Sequence, residues 1–155
     1  MNELYDNDAV TIMKIADQVS DMSSNRIQEI RRFAIKGGYQ RIGIAHCFMF
    51  DREVAIIKAY LQKNFEVITV DCKYGRLQHK ALFGGGSPRV ICNPAGQADY
   101  LNNLQTDLNL SVGLCVGHDM VFNKHSAAPV TSLFDKDFTN GNNMDAALAD
   151  IECEL

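Results

Sequence analysis

Cys47, Cys72, Cys92 and Cys115 each close a short apolar run, RIGIAHC, VITVDC, VIC and LSVGLC, and stand 25, 20 and 23 residues apart in a chain of 155 residues. A thiolate is both a nucleophile and a soft metal ligand. Each interval suits one strand-plus-helix unit, and in an open α/β sheet the residues just beyond the carboxyl ends of the strands converge on one edge. The pattern points to a shared metal, iron–sulfur or thiol site. Free cysteine also serves as a small buried hydrophobe, so a purely structural role stays open as the bland alternative. The fifth cysteine, Cys153, lies near the C-terminus, outside the constellation, and no C-x-x-C pair occurs.

The residues around the four thiols favour chemistry. Cys47, Cys92 and Cys115 each precede an expected helix start, where unpaired backbone N–H groups lower a thiol pKa. Asn93-Pro94 reads as an N-cap followed by proline at the first helical position. Lys73 follows Cys72 directly and can offset thiolate charge, or else be solvated. His118 and Asp119 follow Cys115 closely and join Lys73 as candidate proton-transfer groups, although Asp119 could equally cap a short helix. Lys124 and His125 read as a solvated face, and His46 should point away from Cys47 across its strand. His79 falls in a loop with no identifiable partner.

Adjacent strands lie about 4.8 Å apart, so four consecutive strand ends span roughly 14 Å. Four sulfurs about 2.3 Å from one zinc would need strongly inward-curling loops. An iron–sulfur cluster of the 4Fe–4S type tolerates wider spacing and is the expected cofactor, with zinc as the alternative. Cys47, Cys72, Cys92 and Cys115 are the expected metal ligands.

Hydrophobic periodicity supplies the elements that would position these groups. Amphipathic helices are expected over 8–19 and from the Asn25/Gln28 capping box to Gly37. Strands at 41–46, 65–70, 89–91, 108–114 and 129–134 alternate with helices at 51–63, 94–103 and 118–124. This is the rhythm of an α/β fold: a mostly parallel sheet of four to five strands with flanking helices, Rossmann-like or flavodoxin-like and three-layered. A flavodoxin-like strand order would set Cys47 and Cys92 at the topological switch point. One domain is expected over 1–155, with a helical lead-in at 1–38, an α/β core at 41–134 and a tail at 139–155. Gly84-Gly85-Gly86 marks a surface loop over 74–88, with a lid as the alternative. It does not fit a phosphate loop, because it runs toward a strand and not into a helix.

Composition narrows the partners. A net charge of −4 without a basic stretch argues against nucleic acid. No signal peptide and no apolar run near the roughly 20 residues of a membrane span are apparent. A cytoplasmic protein is expected, where cysteines bind metal or react more often than they form disulfide frameworks. The expected partner is a redox partner or a small-molecule substrate, with homo-oligomerisation left open.

The segments RIGIAHC, VDCKYG, CNPAGQADYLN, TDLNLSVGLCVGHDMVF and SAAPVTSL resemble a family catalogued as domain of unknown function 1847 and described as predicted metal-binding proteins. The resemblance covers most of 23–136, and its CNP-x-x-QA and GLCVGHD motifs are specific in combination. It carries over Cys47, Cys72, Lys73, Cys92, Asn93, Gln97, Cys115, His118 and Asp119, with Asn93 and Gln97 as candidate cofactor contacts. Many members carry a further amino-terminal cysteine-rich segment resembling a zinc ribbon, which is not expected here because no cysteine precedes Cys47. A Gly-His-Asn-Pro stretch usual after the last strand is replaced by Thr139-Asn-Gly-Asn-Asn143.

The leading expectation is an iron–sulfur protein in redox, sensing or sulfur-related chemistry, such as a lyase or desulfidase. Open iron would serve as a Lewis acid if only three cysteines ligate. The alternatives are a zinc or other thiophilic-metal binding protein, and a cluster-free thiol enzyme or sulfur carrier in which a low-pKa cysteine such as Cys115 attacks and a neighbour resolves.

Overall fold

The computed structural model describes residues 4–21, 23–86 and 88–152. Cys153 lies outside them. Two helices lead in. In α1 (Asn7–Val19), the Asp6 carboxylate caps by accepting from the Ala9 N–H. In α2 (Arg26–Lys36), Asn25 and Gln28 close the expected reciprocal capping box.

Four strands follow, β1 (Arg41–His46), β2 (Glu66–Asp71), β3 (Leu108–Val112) and β4 (Val130–Phe134), all parallel in the order β2-β1-β3-β4. This is the flavodoxin type of order. Helix α3 (Asp51–Leu61) connects β1 to β2. Beyond β2 come α4 (His79–Phe83) and then α5 (Pro94–Asn103), which leads into β3. Helix α6 (Val116–His125) links β3 to β4, and α7 (Met144–Glu152) follows the sheet.

Strand alternation divides the core between the two faces of the sheet. Ile42 and Ile44 of β1 join Val67, Leu108, Leu110 and Val112 against Ile30 and Ala34 of α2 and Val54, Ile57 and Leu61 of α3. Ala45 and Val70 instead pack with Ala98 and Leu101 of α5 and Phe122 of α6. Helices therefore cover both faces, giving three layers, and β1, closed in by β2 and β3, reads as a nearly unbroken apolar run, as a buried parallel strand does.

The second face holds a buried polar chain that the apolar pattern does not announce. The Thr106 hydroxyl donates to Asn109 Oδ1 (2.8 Å), Asn109 Nδ2 donates to Ser126 Oγ (2.8 Å), and Ser126 donates to the Ala128 carbonyl (2.8 Å). Asn109 is fully buried, and it fits because Gly43 opposite it has no side chain.

The expected strand at 89–91 does not form. Val90 makes only an isolated antiparallel bridge to Gln78, while the Ile91 N–H donates to the Leu77 carbonyl (2.9 Å) and the His79 N–H to the Arg89 carbonyl (3.0 Å). Residues 89–91, in a segment bounded by Pro88 and Pro94, pair with the stem of their own loop and leave β2 as the sheet edge. That loop also carries α4, and His79 Nδ1 lies 2.8 Å from the Gly85 carbonyl with its ring against Phe83. Among the described residues no helix is long and apolar enough to cross a membrane.

Candidate thiol site

The carboxyl edge of the sheet gathers the four cysteines in two pairs, each with a lysine on it. Cys47 follows β1 and Cys72 follows β2, with 4% and 2% of their surfaces exposed; Cys92 and Cys115 are half-buried. The Cys72 and Cys92 sulfurs lie 3.6 Å apart, and Lys73 Nζ donates to the Cys92 sulfur at 3.4 Å. On the other side Lys136 Nζ lies 3.6 Å from the sulfurs of both Cys47 and Cys115. Cys47 and Cys72 pack together with Phe50, against which Cys92 and Phe134 also lean. The switch point, between β1 and β3, thus receives Cys47 and Cys115. Cys92 reaches the site differently, from the loop ahead of α5, because its short run is not a strand of the sheet.

Local sequence explains how Cys92 is held. Asn93 is the N-cap of α5, its Oδ1 accepting from the Gly96 N–H (3.0 Å) and its Nδ2 donating to the Tyr74 carbonyl (3.2 Å). Its own N–H donates to the Cys72 carbonyl (2.8 Å), so one residue ties the segments that carry the two sulfurs. Cys115 is the N-cap of α6. The chain turns toward it through Gly113, at φ +60°, whose open side is filled by the Phe50 ring.

Gln97 is fully buried, and its Nε2 donates to the carbonyls of Val70 (2.9 Å) and His46 (3.2 Å). It fastens the ends of β2 and β1, just before Cys72 and Cys47. Truncation to alanine would leave two carbonyls short of a donor and open a void, so Gln97→Ala is expected to cost about 2–4 kcal/mol. Urea denaturation would check this, and a loss below about 1 kcal/mol would contradict it.

Electrostatics separates the thiols. Burial pushes the Cys72 thiol up to about 12; the Phe48 N–H works the other way, while hydrogen bonding to Cys92 and the charges of Cys92 and Cys47 raise it further. Burial opposes the Lys136 ammonium, but the sulfurs of Cys47 and Cys115 outweigh it, and its pKa rises. His118 is held below the ordinary histidine value, first by burial and then by the ammonium groups of Lys73 and Lys136. Its ring is therefore a neutral proton acceptor at pH 7. An NMR titration is expected to place the His118 midpoint below that of a free histidine, and Lys73→Met is expected to raise it; a midpoint at or above the free value would refute this.

Beside Cys92 opens a cleft of about 660 Å³ to which Lys73, Cys92, Asn93 and His118 all contribute. Asp119 is not part of its wall. One of its carboxylate oxygens accepts from Asn123 Nδ2 of the same helix (3.1 Å), and the other is buried without a partner among the described residues. His46, which the sequence reading sets aside, is buried with Nδ1 3.5 Å from the Asp51 carboxylate.

Sequence reasoning missed Lys136 and the ring cluster of Phe50, Phe134 and Phe138, whose centroids lie 4.9 and 5.6 Å from Phe50. The rule that selected the cysteines would have found Lys136, which stands two residues beyond β4. Among the described residues, no three His, Cys, Asp or Glu side chains lie close enough together to hold one metal ion.

Comparison with known proteins adds kinship. The profile of a family described as "Protein of unknown function (DUF1847)" matches residues 1–133, a span containing all four cysteines, Lys73 and His118. An uncharacterized protein of Methanocaldococcus jannaschii is 39% identical over 131 residues, covering 82% of this chain and 68% of the relative. No solved structure matches. The chain belongs to the DUF1847 family.

Proposed function

We propose that this protein is a thiol-dependent sulfur-handling protein in which Cys92 attacks a sulfur–sulfur bond of a small molecule and Cys72 resolves the product. The observation that carries this reading is the triad of contacts at Cys92: a cleft in front, an ammonium at 3.4 Å and a second thiol at 3.6 Å. Lys73 sets an ammonium against the Cys92 sulfur, and it is the thiolate form of a cysteine that acts as nucleophile. That thiolate attacks a disulfide or persulfide, the sulfur–sulfur bond of the substrate breaks, and the leaving sulfur departs with the electron pair and takes a proton from the site. A mixed disulfide on Cys92 results.

With Cys92 so capped its negative charge is gone, which removes one of the causes holding the Cys72 thiol up and leaves the Phe48 N–H to stabilise its thiolate. Cys72 passes its proton to an acceptor such as neutral His118, attacks the Cys92 sulfur and releases the second substrate sulfur as a thiol. Two electrons have moved from the dithiol to the substrate, and an external thiol reductant must restore the Cys72–Cys92 pair.

A second reading is an iron–sulfur cluster held by Cys47, Cys72, Cys92 and Cys115. It is favoured by the gathering of four sulfur donors on one edge, a donor set that suits such clusters. The cluster would supply electron transfer or, with one cysteine unligated, Lewis acidity. A single zinc ion would require donors closer together than any three among the described residues.

Purification without oxygen, followed by iron, acid-labile sulfide and zinc analysis and then by diamide oxidation, decides between them. The thiol reading expects metal-free, colourless protein that loses two hydrogen masses and yields a linked Cys72–Cys92 peptide. Visible absorption with matching iron and sulfide would overturn it in favour of the cluster.

A further inference from the structure

We propose that the cleft beside Cys92 is a binding site for a small carboxylate with an apolar body. This deepens the sulfur-handling reading by naming the substrate class, and it rests on that reading only for where the reactive sulfur lies.

The charges come first. Lys73 and Arg89 line the cleft and, among the described residues, no aspartate or glutamate does, although acidic residues outnumber Lys and Arg by 19 to 15 in the chain. The Arg89 side chain makes no hydrogen bond or ion pair among the described residues, whereas Arg32, Arg41 and Arg52 each meet a carboxylate. A free guanidinium fork at a cavity wall matches a carboxylate in two parallel hydrogen bonds.

The remaining wall is apolar. Leu82 and Phe83 of α4 line the cleft yet are 58% and 64% exposed, and Val90, Ile91 and Val121 join them. Apolar side chains left in water around a concave surface mark a ligand contact. The wall is preformed, because the hydrogen bonds between Leu77 and Ile91 and between His79 and Arg89 close the stem of the loop that bears α4. A volume of about 660 Å³ falls in the range of small-molecule sites, about 300–1,000 Å³. The substrate is then an organic acid whose carboxylate meets Arg89, whose body lies on Leu82 and Phe83, and whose sulfur–sulfur bond reaches Cys92 beside Lys73.

Calorimetry on the reduced full chain tests this with hexanoate, phenylacetate and 4-phenylbutyrate against their neutral amides. At least one acid is expected to bind one to one, at least about tenfold tighter than its amide, with Arg89→Gln removing that preference. The same acid should protect Cys92 from iodoacetamide saturably. Absence of binding by all three acids, equal affinity for acid and amide, or an unchanged preference in Arg89→Gln would overturn the proposal. Heat of binding does not involve the thiols: acid binding without a diamide-induced Cys72–Cys92 link upholds the anion site and sinks the sulfur reading, and the converse pair of results does the reverse.

Discussion

Cys92→Ser is expected to slow iodoacetamide labelling of the Cys72–Cys92 pair in the native, metal-free protein by about 100-fold or more, whereas Cys72→Ser should leave the fast phase at Cys92 intact. The ammonium of Lys73 sits on the Cys92 sulfur. Cys72 is 2% exposed and its thiol is pushed up to about 12, so at pH 7 its thiolate fraction is on the order of one in 100,000. The two variants should also part in their products. With a disulfide of low molecular weight, the wild type should release both halves and end as the Cys72–Cys92 disulfide, while Cys72→Ser should stop at a mixed disulfide on Cys92. Lys73→Met should slow the fast phase without changing its site. Stopped-flow labelling with peptide mass spectrometry reads all three, and equal labelling rates at Cys72 and Cys92 in the wild type would refute the assignment.

Gly43→Ala is expected to be among the most damaging single-methyl additions to this fold, costing about 3–5 kcal/mol. A methyl at this position would fall on Asn109 Oδ1 and within 2.8 and 3.0 Å of the two Leu101 methyl carbons. Asn109 cannot yield cheaply, because Thr106 and Ser126 hold both ends of its amide, and breaking that chain leaves buried polar groups unpaired. For a chain of 155 residues the cost corresponds to a fall in Tm of roughly 6–20 °C. Gly117→Ala is the control. Among the described residues, nothing beyond its own chain neighbours and helix backbone lies within 4 Å of its added methyl, in the first turn of α6, so the change should be neutral or stabilising by up to about 1 kcal/mol. Thermal unfolding of the two variants that gave similar midpoints would show that close packing at Gly43 is not what limits the fold.

Much of the architecture was legible because burial acts through local periodicity. β1 fits its apolar run without adjustment, and α2 begins at the Asn25/Gln28 box that its side chains announce. The segment 89–91 failed for the complementary reason. Two apolar residues, Val90 and Ile91, carry too little periodicity to reveal a partner, and the pairing of Val90 with Gln78 depends on how the loop between them folds back.

Of the site, residue order alone specifies which sulfur donors stand at the ends of apolar runs, that Asn93 and Pro94 start a helix beside Cys92, and that the chain folds as an α/β protein of this family. These properties follow from residue type and near-neighbour spacing. The pairing came from the folding of the chain in three dimensions. It brought Cys92 to Cys72 across 20 residues, placed Lys136 between Cys47 and Cys115, turned Gln97 inward to fasten two strand ends, and left Arg89, without a side-chain partner among the described residues, beside a cleft. Strand order and loop closure set those distances, and both are long-range: which sulfurs meet depends on which strands are neighbours, and no local pattern of side chains records that.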